Sequence, residues 1–144
     1  PVDMGAIRAA AHVEIDAAAE AARLMVLTPG SGQALEYEAS AKQAGIAALA
    51  ADPLDPADYP MLVAEQAALA AVGVTVSLRD VVTQVQGEAA GWEVIGAAIK
   101  QIRRTAKMAV DDAADEAAVR ALVAWASAAY QLVLAGDPVP SLPS

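Results

Sequence analysis

Residues 77–109 read SLRDVVTQVQGEAAGWEVIGAAIKQIRRTAKMA, and the spacing of their apolar side chains decides the fold class. Leu78, Val85, Trp92, Ile99 and Ala106 recur every seven residues, and Val81, Ile95, Ile102 and Ala109 fill the three-residue offset, with Glu88 the exception. Four heptads in register describe one long helix of a bundle or coiled coil. Ser77-Leu78-Arg79-Asp80 opens that helix in the form of a capping box, with Asp where Glu is usual.

Helical spacing continues on both sides of this segment. Towards the N-terminus, Ile7, Ala11, Ile15, Ala18, Ala22 and Met25 step by threes and fours, with Asp16, Glu20 and Arg23 as a solvated flank. Thr28-Pro29-Gly30-Ser31-Gly32 breaks the pattern, with Thr28 suited to an N-cap and Pro29 to the first helical position. A second helix is predicted over about 32–51, carrying Leu35, Ala39, Lys42, Ile46 and Leu49 on one face. The proline-rich segment 52–60 is an ordered, non-helical connector. A short helix over about 60–72 ends at Gly73, and Val74-Thr75-Val76 is an extended lead-in, since one tripeptide cannot make a sheet. A last helix over about 114–134 buries Val119, Leu122, Val123, Ala126, Tyr130 and Val133. No strand alternates with these helices. The expected fold is therefore all-α: a four-helix bundle over 1–135 with a long heptad-patterned helix, one extra short helix and an extended Pro-rich C-terminal tail over 136–144.

Composition removes most chemistry. A chain of 144 residues is one domain by default. Eighteen acidic residues against nine basic ones leave a net charge of −9, which opposes nucleic-acid binding because that needs a cationic face. The chain has no cysteine and a single histidine, His12, so thiolate sites and most histidine-built metal sites are excluded. Of the 57% hydrophobic residues a large part is alanine, 39 in all, and the aromatics are only Tyr37, Tyr59, Trp92, Trp125 and Tyr130. Alanine favours helix but buries little area, so the helices must approach closely or share surface with a partner. No uncharged apolar run reaches the ~20 residues of a membrane span, the longest being Ala121 to Ala135. No basic-then-apolar signal pattern opens the sequence, so a soluble product made in the cytoplasm is expected.

The candidate sites reduce quickly. Gly30-Ser31-Gly32 lacks the Lys-Ser/Thr that completes a phosphate loop, and no strand precedes it to make a nucleophile elbow, so it reads as a turn. His12 stands alone, with Asp16 one turn on as its expected partner. Asp52, Asp55 and Asp58 lie among prolines, where aspartate serves turns and caps, and lack the spacing of a calcium loop. No catalytic, cofactor-binding or metal-binding residue is expected. The remaining candidates concern interaction. Lys100, Arg103, Arg104 and Lys107 stand at i, i+3, i+4 and i+7 and place four of the nine basic residues on one stripe. Two readings stand: a solvated face paired with Asp111 and with acidic residues of the first helix, or a docking strip for an acidic partner or a neighbouring copy. Trp125 falls off the Leu122-Ala126-Val133 stripe and is either an interface anchor or the closure of the bundle edge. Pro138 and Pro140 punctuate a tail able to lie along a neighbour's surface.

One resemblance draws several of these segments together. Arg23-Leu24-Met25-Val26-Leu27-Thr28-Pro29-Gly30, with Gln33 and Tyr37, is followed by Asp58-Tyr59-Pro60, by Ala64-Glu65, by a central Trp92, and by Ile99 with Arg103 and Lys107. Over about residues 14–123 this resembles small alanine-rich helical proteins encoded among the tail and fibre genes of tailed bacteriophages and prophages. Lys42 stands further from Tyr37 than in that pattern. The resemblance implies a non-enzymatic structural component of the virion, associated with the tail, baseplate or fibre and assembled in the host cytoplasm. A capsid decoration protein and a soluble assembly factor are the alternatives. The implied partners are other virion proteins and further copies of the chain as a homo-oligomer, with no cofactor, nucleic acid, membrane or small-molecule substrate.

Overall fold

The computed structural model describes residues 2–26 and 31–144, with residues 31–34 described by their backbone alone. Its elements are α1 (Met4–Val26), α2 (Ser31–Leu49), a 3-10 turn (Pro56–Asp58), α3 (Pro60–Ala71), α4 (Leu78–Asp112) and α5 (Glu116–Leu134). Among the described residues there is no strand, so the protein is all-α as predicted. The expected cap at Thr28 and the turn through Gly30 lie outside the described residues. The chain forms two compact units, Pro1–Leu27 with Glu93–Ser144, and Thr28–Trp92.

In the first unit, α1, the second half of α4 and α5 share one core. Ala11, Ile15, Ala19 and Ala22 meet Ile99, Ile102, Ala106 and Val110, together with Val119, Leu122, Ala126, Ala129, Tyr130 and Val133. Much of this contact surface is alanine, whose single carbon lets helices sit close. The α5 face is the predicted one with Ala129 added, and Val123 is half-buried. On α1 two expectations fail: Ala19 takes the buried position given to Ala18, and Met25 is 76% exposed. Residues 17–19 are all alanine, so hydrophobicity carries no signal there for choosing between adjacent faces. Tyr130 is the largest buried side chain, and its hydroxyl donates to the Ile15 carbonyl at 3.2 Å. That bond satisfies the one polar atom an apolar core cannot leave unpaired.

In the second unit, Ala44, Ala47, Tyr59, Leu62, Val81 and Val82 form the core, with Leu54, Val76, Leu78 and Val85 against it. Tyr37 meets Trp92 edge-on, with ring centroids 6.1 Å apart. The large side chains of α2 lie outside this core. Leu35, Ile46 and Leu49 are exposed at 66%, 56% and 92%, while Ala44 and Ala47 are buried. The core takes the other side, where alanine permits close approach.

Helix ends follow local chemistry. Asp3 Oδ1 accepts from Ala6 N at the start of α1, and Asp115 Oδ1 accepts from Ala118 N at the start of α5. The capping box of α4 is reciprocal: Ser77 Oγ accepts from Asp80 N at 3.0 Å, and Asp80 Oδ2 accepts from Ser77 N at 3.1 Å. Helices α3 and α5 both end on glycines in the left-handed region, Gly73 (φ 87°) and Gly136 (φ 93°). In each the following residue donates back into the last turn, Val74 N to Leu69 O and Asp137 N to Leu132 O, both at 2.9 Å, as in a Schellman motif. Residues 74–76 form no strand; Val76 O instead accepts from Gln66 Nε2.

By length and composition alone, α5 is long and apolar enough to cross a membrane, although its uncharged run is the Ala121-to-Ala135 stretch noted above. Glu116 and Arg120 lie at its start and leave the rest uncharged, while its Val119-to-Val133 face is buried in the core.

A methyl group added at Gly91, inside α4, would meet nothing within 4 Å. Gly91→Ala should therefore raise stability by up to about 1 kcal/mol through helix propensity, read as a higher urea midpoint. Gly136→Ala should lower it by about 1 kcal/mol or more, because its backbone is left-handed.

Candidate docking surface

The basic stripe on α4 divides into two pairs. Arg103 and Lys107 are half-buried and turn towards α1. Lys107 Nζ donates to both oxygens of Asp16, at 2.9 and 3.2 Å, and Arg103 Nη1 lies 3.9 Å from the same carboxylate. These two residues join α4 to α1 within the first unit, as the solvated-face reading predicted for the first-helix carboxylates. Lys100 and Arg104 are exposed and, among the described residues, make no ion pair.

Asp111, expected on the stripe, is instead the neighbour of His12: Nε2 lies 2.8 Å from Asp111 Oδ1, without the alignment of a hydrogen bond. His12 thus does not take Asp16, which the longer, three-donor Lys107 side chain occupies. His12, Arg103, Arg104, Lys107, Met108 and Asp111 line a notch of about 220 Å³.

Trp125 is half-buried against the core, and its indole N–H donates to the Ser141 carbonyl at 2.8 Å. Its polar atom therefore binds the tail of its own chain. Val139 packs against the same core, Pro140 is half-buried and Pro138 exposed, so the tail lies on the unit that bears it. Of the connector aspartates, Asp52 pairs with Arg79 at 2.8 Å and Asp55 accepts from Ala57 N at 3.0 Å. Among the described residues no three His, Asp or Glu side chains gather as a metal site.

Two arginines that sequence reasoning passed over do structural work. Arg79 donates to Ala47 O at 2.7 Å and Ala50 O at 3.0 Å, closing the end of α2. Arg8 Nη2 donates to Ala113 O at 2.7 Å just beyond α4. Neither α2 nor α4 has a basic residue in its last turn. That lack is the one available signal, because terminal carbonyls need donors from somewhere.

We find no match to the chain among protein-family models, among curated proteins or among solved structures.

Two outcomes check this electrostatic picture. Asp16→Asn should lower stability by less than about 1 kcal/mol, since the pair is partly exposed, and the loss should shrink in high salt. Burial pushes the Tyr130 hydroxyl up from 10.0 to about 12, with Arg103 opposing the rise and Asp16 adding to it. The unfolded chain then ionises first, so the contribution of Tyr130 is intact below pH 10 and is lost as the pH climbs towards about 12. Urea midpoints between those limits should fall more steeply for the wild type than for Tyr130→Phe.

Proposed function

We propose that the chain is a non-enzymatic structural protein of a tailed-bacteriophage particle, associated with the tail, baseplate or fibre, which acts by oligomeric assembly and docking. The observation that carries assembly is the α2 face: Leu35, Ile46 and Leu49 lie exposed on one side of a single helix. Exposed apolar residues scattered singly are ordinary, whereas several aligned on one face of a helix suit an interaction surface. The phage reading is supported by the resemblance of residues 14–123 to tail-region helical proteins. Lys100 and Arg104 add two cations that make no ion pair among the described residues, on a chain of net charge −9, a local sign reversal that an acidic neighbour fits.

As to architecture, this reading takes the four longer helices as a bundle with α3 as the extra short helix. Its support is the heptad register of α4, whose Val81, Ile99, Ile102 and Ala106 are buried. Partners are other virion proteins and further copies of the chain, without nucleic acid, membrane or small-molecule ligand. Repetition in a particle multiplies contacts that are individually weak.

Quantitative peptide mass spectrometry on purified particles, with gold-labelled antibody imaging of the same preparation, tests the reading. A few to some dozens of copies at the tail is the expected result. Label spread over the head would make the chain a decoration protein, and absence from particles would make it an assembly factor. Changing Lys100 and Arg104 together to Gln should reduce incorporation with helicity unchanged, as measured by circular dichroism. Equal incorporation would return both residues to a solvated face.

A further inference from the structure

The α2 stripe has an order of its own. Leu35, Ala39, Lys42, Ile46 and Leu49 follow one another at spacings of four, three, four and three, the a/d pattern of two heptads. It lies away from the buried side of the helix: Ala44 and Ala47 are covered, while Lys42 and the three large residues are exposed. Leu35 and Leu49 stand seven residues to either side of Lys42. A helix laid antiparallel on its own image, with the two-fold axis beside Lys42, therefore sets Leu35 against Leu49 at both ends. The same operation sets the two Lys42 residues opposite each other at the axis and brings Ile46 of one copy level with Glu38, beside Ala39, of the other.

The charges obey the same symmetry. Lys42 and Glu38 are exposed, and among the described residues neither makes an ion pair. In the antiparallel pair Glu38 of one copy lies about one helical turn, roughly 6 Å, from Lys42 of the other, within reach of a lysine side chain. The two lysines then meet at the axis, and each is flanked by the other copy's Glu38. A single charged residue at such a core position lowers stability but fixes register and number of strands.

We propose that this face of α2 takes α2 of a second copy of the chain, antiparallel, through an isologous two-fold contact. The inference rests on the assembly reading above and names its partner. A self-complementary pattern is what an isologous contact requires, and an unrelated partner would have no need of it. Two heptads make a small contact, so the dimer is weak in isolation and concentration-dependent.

The absence of native cysteine makes a direct test possible. Lys42→Cys, under mild oxidation, should cross-link to a homodimer about tenfold or more faster than Ala48→Cys, because docking raises the local thiol concentration. Ala48 is exposed but lies off the stripe. In sedimentation velocity over a wide concentration range, the wild type should pass from one chain mass to two. Ile46→Glu should weaken that association by about tenfold or more, with its thermal midpoint unchanged because Ile46 is exposed.

A wild type that stays monomeric throughout would overturn the proposal, as would equal cross-linking at both cysteine positions. So would Ile46→Glu lowering the thermal midpoint while leaving the mass unchanged, since the chain itself would then cover the face. If cross-linking fails while mass spectrometry finds the chain in particles, this contact falls and the virion reading stands. Dimerisation with absence from particles has the reverse meaning.

Discussion

Because alanine supplies so much of the buried surface, the helices hold together only where their backbones come close enough for one-carbon side chains to touch. Ala11, Ala19 and Ala22 on α1, Ala106 on α4, and Ala126 and Ala129 on α5 meet that condition in one unit, and Ala44 and Ala47 on α2 meet it in the other. Dispersion falls steeply with distance, so a small gap across such a face forfeits much of its attraction. The few large buried residues then act as fixed points. Ile15, Ile99, Ile102 and Tyr130 fill volume that alanine cannot, and the Tyr130 bond to Ile15 O fixes where α5 crosses α1.

Charge is arranged around the same constraint. A chain with twice as many acidic as basic residues has few cations to distribute, and most of them serve the fold. Arg8 and Arg79 satisfy carbonyls near the ends of α4 and α2, Lys107 and Arg103 hold Asp16, and Arg23 and Arg120 pair along their own helices with Glu20 and Glu116. The surface pairs contribute little individually, while an arginine on several terminal carbonyls removes unpaired acceptors. What remains is Lys42, Lys100 and Arg104, which have no such duty among the described residues.

Where sequence patterns rested on side chains of different size, they located the fold. The α4 heptads, the Ser77–Asp80 box, the Gly73 stop and the α5 face needed only periodicity and cap chemistry, both of which are local. Where the pattern rested on alanine it failed, because adjacent alanines score alike. Ala18 against Ala19 was undecidable, and on α2 the visible stripe of Leu35, Ile46 and Leu49 concealed a smaller face that could pack closer. The docking strip was half legible. Spacing placed four cations in one row, but only the tertiary position of Asp16 separates the two that bind internally from the two that do not. The arginine caps were invisible for the same reason, since Arg8 reaches a carbonyl 105 residues away.

The α2 stripe also bears on why this surface does not aggregate at random. An exposed row of leucine and isoleucine on a helix is an aggregation hazard unless something limits what can cover it. Lys42 interrupts the row at its centre, so any partner that covers the whole stripe must bring a carboxylate to that point. A second α2 in the antiparallel register sets its own Lys42 opposite and brings its Glu38 to within about one helical turn of that point. The residue that weakens the face thus also limits what can cover it to surfaces that carry acid near that point.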